Sequence, residues 1–178
     1  MQMPSDEAPS YSKPPDTPDS KEQSEMARIK FGDIFEIATP KGLAYGQYLL
    51  RHKKYGALVR MFSRFHEQRP SELAETMGDV QFIHFFPLQA AVNKDIVAIV
   101  GNAPIPKEYS TMPIFRNGVE DPATGKVAVW WFWDGEKEWR VGALTPEQRK
   151  IPMLGVCNDT YLIERLVEGW RPENDPTT

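Results

Sequence analysis

The sequence has a single cysteine, Cys157, among its 178 residues. One cysteine cannot form an internal disulfide, so the composition favours a reducing compartment, and we expect a cytoplasmic protein. The N-terminus lacks the basic region and apolar run of a signal peptide. No uninterrupted apolar stretch approaches the roughly 20 residues of a membrane-spanning helix, so association with a membrane is not expected.

The sequence also lacks an excess of positive charge. It contains 21 Lys and Arg residues against 25 Asp and Glu residues, a net charge of −4. This negative charge belongs to residues 1–27, where six acidic residues accompany two lysines, whereas acidic and basic residues balance in the rest of the chain. Because binding to a phosphate backbone usually requires clustered positive charge, nucleic acid is not an expected partner.

Residue types that carry catalysis or bind metals are scarce. The three histidines, His52, His66 and His84, lie in separate segments, and no HExxH, CxxC or EF-hand pattern is present. Cys157 precedes a predicted helix, where a thiol pKa can be lowered, although a lone cysteine is more often a small buried residue. No Ser-His-Asp arrangement or nucleophile elbow is indicated. We therefore predict no catalytic residues, no metal site and no cofactor, and we do not expect an enzyme.

Composition divides the chain into three parts. Residues 1–27 contain five prolines in their first 18 positions and almost no apolar residues. They cannot bury enough surface to offset the entropy of folding, so we predict a disordered acidic tail, or one that becomes ordered only on a partner. Residues 28–172 have the composition of a single globular domain. Residues 173–178 are predicted to be a disordered C-terminus.

Period-two patterns of β-branched and aromatic residues predict a series of short strands. Five such segments precede the tryptophan-rich region of the chain: residues 29–37, 43–50, 56–62, 79–86 and 95–101. Short helical insertions are predicted after Ser71 and after Pro87. The sequence therefore predicts a mostly β (α+β) fold, either a small curled β-barrel or a bent antiparallel sheet.

The C-terminal part of the sequence contains two further helix signals. Thr145 and Gln148 have the spacing of a capping box, which predicts a short helical turn. A longer helix is predicted to begin at a cap formed by Asn158 or Asp159 and to end at Gly169. Its apolar residues recur on one face, so we expect this C-terminal helix to pack on the sheet.

The sequence VAVWWFWDGEKEWRVG, residues 127–142, places three Trp and one Phe at four consecutive positions and predicts a hairpin. A four-residue turn over residues 134–137 pairs aromatic residues with aromatic or apolar residues across the strands. This register is more favourable than that of a two-residue Asp134-Gly135 turn. The predicted pairs are Phe132 with Trp139, Trp130 with Val141, Trp131 with Arg140 and Trp133 with Glu138.

This register gives the predicted hairpin two different faces, one apolar and one with two tryptophans beside charged residues. Trp and Arg are enriched in interface hot spots, and Trp131 beside Arg140 is a predicted cation–π pair. Alternatively, the second face packs under the C-terminal helix or under the connection over residues 102–115. The predicted partner-binding site comprises Trp131, Trp133, Asp134, Glu136, Glu138 and Arg140.

A second candidate surface is a run of basic residues. Residues 51–69 contain six Lys and Arg residues and only one acidic residue, Glu67. Such a run is commonly a solvated face, but it also suits binding to an acidic protein surface. The predicted basic patch comprises Arg51, Lys53, Lys54, Arg60 and Arg64.

The segment RIKFGDIFEIATPKGLAYGQYLL, residues 28–50, resembles the opening of a bacterial polymorphic-toxin immunity family, the one numbered twenty-six. The resemblance rests on a Gly-Asp-x-Phe-x-Ile strand and a second strand rich in Gly, Ala and Tyr, and it extends over about residues 28–116. The matching residues are Gly32, Asp33, Phe35, Ile37, Ala44, Tyr45 and Gly46. The resemblance implies a non-enzymatic cytoplasmic protein that binds and blocks a cognate toxin.

Two other functions fit the same sequence. The first is a small-molecule or nucleotide-binding β-barrel domain, with or without catalysis, that uses a pocket between the sheet and the tryptophans. The second is an accessory module that recognises a protein through its N-terminal tail. An adjacent reading frame that encodes a large multidomain toxin would distinguish the immunity function from both.

Overall fold

The computed structural model describes residues 28–178, so the predicted tail over residues 1–27 lies outside the described residues. The fold is mostly β, as predicted. Its strands are β1 (Asp33–Thr39), β2 (Gly42–His52), β3 (Gly56–Phe62), β4 (Val80–Phe86), β5 (Val97–Asn102), β6 (Phe115–Asp121), β7 (Lys126–Trp133) and β8 (Glu138–Gly142). Its helices are α1 (Leu73–Thr76), α2 (Leu88–Asn93) and α3 (Asp159–Glu168), and single 3-10 turns occur at Lys107–Tyr109, Gln148–Lys150 and Pro172–Asn174.

The strands form two antiparallel sheets. The larger sheet has the order β4-β3-β2-β1-β5 and the smaller has the order β6-β7-β8. The larger sheet is open, with β4 and β5 at its edges, so the prediction of a bent antiparallel sheet is confirmed and no barrel closes among the described residues. A Cβ atom on Gly46 would lie 2.4 Å from the Phe35 ring and 2.6 Å from the Met61 sulfur. A larger residue at position 46 would clash with these two side chains, which pack over the middle of β2.

One face of the larger sheet is covered by α2 and α3. The Asn158 side chain caps α3 by accepting a hydrogen bond of 2.8 Å from the backbone N–H of Tyr161. Gly169 ends the helix in the left-handed conformation, with φ of 68°. Leu162 and Leu166 are buried in the core against the sheet. The predicted C-terminal helix, its cap and its terminator are therefore confirmed.

Several local predictions differ from the structure in detail. Gly32 lies in a turn, with φ of 87°, so the first strand begins at Asp33 and not at Ile29. The helix predicted after Ser71 is a single turn that begins at Leu73, with no side-chain cap. The connection over residues 102–115 contains a 3-10 turn at Lys107–Tyr109. The Thr145 capping box is present, since its hydroxyl and the Gln148 side chain exchange hydrogen bonds with each other's backbone.

A short extended segment, residues 152–157, joins the two sheets. At one end it lies beside β6, where the backbone of Arg116 donates a hydrogen bond to Pro152 and accepts one from Leu154, both 2.8 Å long. At the other end it lies beside β4, where the N–H of Cys157 donates to the carbonyl of Phe85 over 3.0 Å. This joining segment covers one edge of each sheet and holds the sheets together.

The C-terminus was predicted to be disordered, but in the structure residues 173–178 pack against the smaller sheet. Asp175 is buried, and its carboxylate accepts a hydrogen bond from the Trp170 indole N–H over 3.1 Å. The carbonyl of Thr177 accepts a hydrogen bond of 2.9 Å from the backbone of Val127. The polar composition of this segment predicted disorder, but its groups satisfy donors of the smaller sheet that would otherwise lack partners.

None of the helices within residues 28–178 is long and apolar enough to cross a membrane.

We predict that deleting residues 173–178 lowers the free energy of unfolding by at least about 2 kcal/mol, because several buried donors lose their acceptors. Denaturant unfolding of the deletion variant and the full chain measures the difference. The control is Glu173→Gln, a change at an exposed position of the same segment, which should leave the midpoint unchanged. An unchanged midpoint in the deletion variant would contradict the packing of this segment.

Candidate functional site

The tryptophan hairpin adopts the predicted four-residue turn. Trp131 pairs with Arg140, Phe132 with Trp139 and Trp133 with Glu138. The turn is stabilised by Asp134, whose carboxylate accepts hydrogen bonds from the backbone N–H groups of Glu136 and Lys137. The predicted partner of Trp130 is wrong. A register shift between Trp130 and Trp131 places Gly142, and not Val141, opposite Trp130, because a β-bulge adds one residue to a strand.

One face of the smaller sheet is core, as predicted. Trp130 and Phe132 are buried on it, and the guanidinium of Arg116 stacks on the Trp130 ring at 4.7 Å. The Arg116 side chain is fully buried and donates hydrogen bonds to the carbonyl of Pro172 and to the Thr178 hydroxyl. Trp139 contacts Phe132 edge-on but keeps 38% of its surface exposed, because β8 is the edge strand of the sheet.

Trp133 lies on the opposite face and packs into an aromatic cluster. Its ring centroid is 5.1 Å from His52, 5.2 Å from Tyr55 and 5.8 Å from Phe115. Phe85 of the larger sheet belongs to the same cluster. These rings fill the space between the larger sheet and Trp133, where a small-molecule pocket was one of the predicted alternatives. Trp133 is therefore part of the contact between the two sheets.

Trp131 lies on the same face as Trp133 but beyond the edge of that contact. It is 39% exposed, with Asn117 of β6 on one side and Arg140 of β8 on the other. Its ring borders an open concavity of about 660 Å³, which we call the Trp131 groove. The groove is defined by Val119, Glu120, Asp121, Val129, Trp131 and Glu138. Neither the C-terminal helix nor the connection over residues 102–115 lines the groove.

The carboxylates of the Trp131 groove lack basic partners. Glu138 accepts a hydrogen bond of 3.3 Å from the Asn117 amide. Within residues 28–178, neither it nor Glu120 nor Asp121 forms an ion pair. The Nζ atom of nearby Lys126 donates to the carbonyls of Pro176 and Thr178. The groove is therefore an acidic surface with one exposed indole.

The predicted cation–π pair of Trp131 and Arg140 is not formed. The two residues are cross-strand neighbours, but among the described residues the cation–π contacts of arginine involve only Arg60, Arg116 and Arg165. Within residues 28–178, no cation therefore stacks on the Trp131 ring.

Two other predicted site residues lie away from the groove. Asp134 and Glu136 line a separate pocket of about 330 Å³ at the tip of the hairpin, together with His52 and Met112. The backbone N–H groups of Lys137 and Glu136 lower the pKa of the Asp134 carboxyl. The structure thus places Trp131 and Glu138 in the groove, with Arg140 beside Trp131 but outside the lining. Trp133 instead packs between the sheets, and Asp134 and Glu136 lie at the tip of the hairpin.

The groove also contains residues that were not predicted, from the β6 strand. Val119 is 88% exposed and lies at a register shift between Gly118 and Glu120. The segment FRNGVED has a weak strand pattern, since it is polar and contains glycine. The turn at residues 122–125 is the signal that could have identified it, because a strand that precedes this turn is expected to pair with β7. The turn alone would place Asn117 beside Trp130, and the register shift moves it beside Trp131.

The predicted basic patch is not one surface. Arg51, Lys53 and Lys54 are exposed near the turn between β2 and β3, whereas Arg64 lies beyond the opposite end of β3. Arg60 is buried, so its place on a surface patch is wrong. Its Nε atom donates to the Gln47 side chain over 3.0 Å, and its guanidinium stacks on Tyr109 at 4.6 Å. Period two places Arg60 on the covered face of β3.

His84 and Cys157 lie inside the core. The Cys157 thiol is 3.5 Å from the Phe85 carbonyl, and burial raises its pKa to about 12. Burial, together with the charge of Arg165, lowers the pKa of His84 to about 4. Neither group has the exposure or the pKa of a nucleophile or general base at neutral pH. Within residues 28–178, no group of three or more His, Cys, Asp or Glu side chains is placed to hold a metal ion.

Comparison with known proteins found no matching family model, no matching curated protein and no matching solved structure.

We predict that stability falls as the pH drops from about 6.5 to about 4. In this window His84 becomes protonated in the unfolded chain but stays neutral in the folded chain. The free energy of unfolding therefore falls by about 3 kcal/mol in total. Denaturant unfolding at several pH values tests this against His84→Gln, which cannot titrate. Above about pH 6.5, the difference in free energy of unfolding between the two proteins should no longer change with pH. If the two free energies run parallel at all pH values, the prediction is contradicted.

We also predict that the two neighbouring tryptophans differ in their contribution to stability. Trp133→Ala opens a cavity between the sheets and should lower the free energy of unfolding by about 3 kcal/mol or more. Trp131→Ala removes a ring at the surface and should cost less than about 1 kcal/mol. Denaturant unfolding followed by circular dichroism measures both. Equal losses would contradict the different environments of the two rings.

Proposed function

We propose that this protein is an immunity-type protein that binds a cognate bacterial toxin and blocks it by occlusion, without catalysis. The observation that carries the proposal is the Trp131 groove. It combines an exposed indole with the exposed apolar side chain of Val119 and a rim of carboxylates. An aromatic anchor at the centre of a polar rim is typical of protein interfaces.

The groove suits a protein partner better than a small ligand. Sites for small molecules enclose most of the ligand surface in a deep, largely apolar cavity. The Trp131 groove is a shallow concavity on one face of a three-stranded sheet, and three carboxylates line it. A convex, polar protein surface matches that shape and chemistry.

The placement of the titratable residues supports a function without catalysis. Of the three histidines and one cysteine that the sequence offered for proton transfer or nucleophilic attack, His84 and Cys157 lie in the core. Both are buried beneath α3, and their pKa values are shifted away from the range that such chemistry uses. The exposed residues around Trp131 include no histidine or cysteine.

The toxin as partner rests on the family resemblance over residues 28–116. The residues that carry the resemblance have structural roles in the larger sheet. Phe35, Ile37 and Ala44 belong to the hydrophobic core, and the side chains of Phe35 and Met61 pack over Gly46. The resemblance therefore concerns the sheet, and the proposed binding surface lies on the smaller sheet beside it.

The proposal is tested with the toxin encoded by the adjacent reading frame. We expect co-expression of the wild-type protein to restore growth of toxin-expressing bacteria, and Trp131→Ala to fail at equal protein level. Its affinity for the purified toxin should fall by about 2 kcal/mol, roughly 30-fold. Trp139→Ala is the matched control. It removes an equally exposed tryptophan on the opposite face of the same hairpin, and it should retain affinity within about threefold.

Two outcomes would contradict the proposal. The first is a Trp131→Ala variant that neutralises the toxin as well as the wild-type protein. The second is loss of neutralisation in Trp139→Ala alone, which would place the toxin on the opposite face of the hairpin.

A further inference from the structure

We propose that the Trp131 groove binds an arginine side chain of the partner protein, with the guanidinium stacked on the Trp131 ring and paired with a carboxylate from the groove lining. This inference rests on the proposed function, since the arginine belongs to the bound protein. It specifies the chemistry of that partner as a basic surface with an arginine at its centre.

The charge of the groove points to a cation. Its three carboxylates, on Glu120, Asp121 and Glu138, form no ion pair within residues 28–178. Among the described residues, no Lys or Arg side chain lines the groove. Arg140 lies beside Trp131 on the same face, but it neither lines the groove nor stacks on the ring. A partner that supplies positive charge there is attracted by carboxylates that pair with no basic residue of the described chain.

The chain already makes the same contact with three buried arginines. The guanidinium of Arg165 lies 4.3 Å from the Tyr161 ring centroid and 3.8 Å from that of Trp170. Arg116 and Arg60 stack in the same way on Trp130 and Tyr109. At Trp131 the aromatic ring is present and exposed, but the stacked guanidinium is absent from the described chain. An arginine from outside completes the arrangement.

Arginine fits this groove better than lysine. A planar guanidinium can stack on an indole and donate two parallel hydrogen bonds to a carboxylate, whereas an ammonium group acts as a compact point charge. Val119 and Val129 line the groove beside the ring. They provide an apolar surface for the methylene stem of the arginine. The groove is therefore expected to discriminate between the two basic side chains.

The inference is tested on the full-length protein with three peptides as probes: hexaarginine, hexalysine and hexaglutamate. The Trp131 indole N–H resonance, assigned with Trp131→Phe, reports binding by NMR. We expect hexaarginine to shift this resonance and to bind at least about fivefold more tightly than hexalysine. Hexaglutamate should not bind. Equal affinity for the two basic peptides, or an unmoved Trp131 resonance, would overturn the inference.

Two variants locate the effect in the groove. The double change Glu120→Gln and Glu138→Gln should weaken hexaarginine binding by about tenfold. The change Glu164→Gln removes a charge from an exposed position on α3, outside the groove, and should weaken binding by less than about twofold. Similar losses in both proteins would indicate attraction to net charge only and would overturn the inference.

The same variants separate this inference from the proposed function. If Trp131→Ala loses toxin binding but the double glutamine variant keeps it, the toxin-binding function holds and the arginine groove is wrong. If hexaarginine binds at Trp131 through the two glutamates but Trp131→Ala still neutralises the toxin, the groove binds arginine but the toxin does not depend on it.

Discussion

The arrangement of the molecule depends on the backbone hydrogen bonds of the joining segment, residues 152–157. Its residues bond to β6 at Arg116 and to β4 at Phe85, so a single short stretch covers an exposed edge of each sheet. Unpaired strand edges attract other chains, and this segment removes two of them at once. It also sets where the smaller sheet lies, and therefore which of its side chains meet the larger sheet and which reach solvent.

The position of the smaller sheet explains the different environments of its tryptophans. Near the joining segment, Phe115 and Trp133 pack against Phe85 of the larger sheet. On the opposite face, Trp130 and the buried guanidinium of Arg116 are held by the C-terminal residues. Trp131 points the same way as Trp133 but lies outside this contact, so part of its ring remains exposed. It lies beside carboxylates that form no ion pair within residues 28–178. The proposed binding surface is thus a part of the smaller sheet that the larger sheet does not cover.

Local signals in the sequence were sufficient for much of the fold. The cap at Asn158 and the terminator at Gly169 act through backbone groups a few residues away, so their effect can be predicted without knowledge of the rest of the chain. The hairpin register follows from the turn and from cross-strand pairing within the same 16 residues. Apart from local errors such as the bulge at Trp130, two errors lie where neighbours distant in sequence decide the outcome. Arg60 is buried under Tyr109, and residues 173–178 are ordered by Val127 and Trp170.

The sequence by itself determined that the chain is mostly β, which residues begin and end α3, and that one face of the hairpin is apolar. It could not distinguish Trp131 from Trp133, because both are tryptophans on one face of the same strand. Only the tertiary structure decided that Trp133 is packed between the sheets and that Trp131 is exposed. The reason is physical: exposure depends on what covers a side chain. Besides Phe115 of its own sheet, Trp133 is covered by His52 of β2 and Phe85 of β4, which pack beside it only after the two sheets are joined.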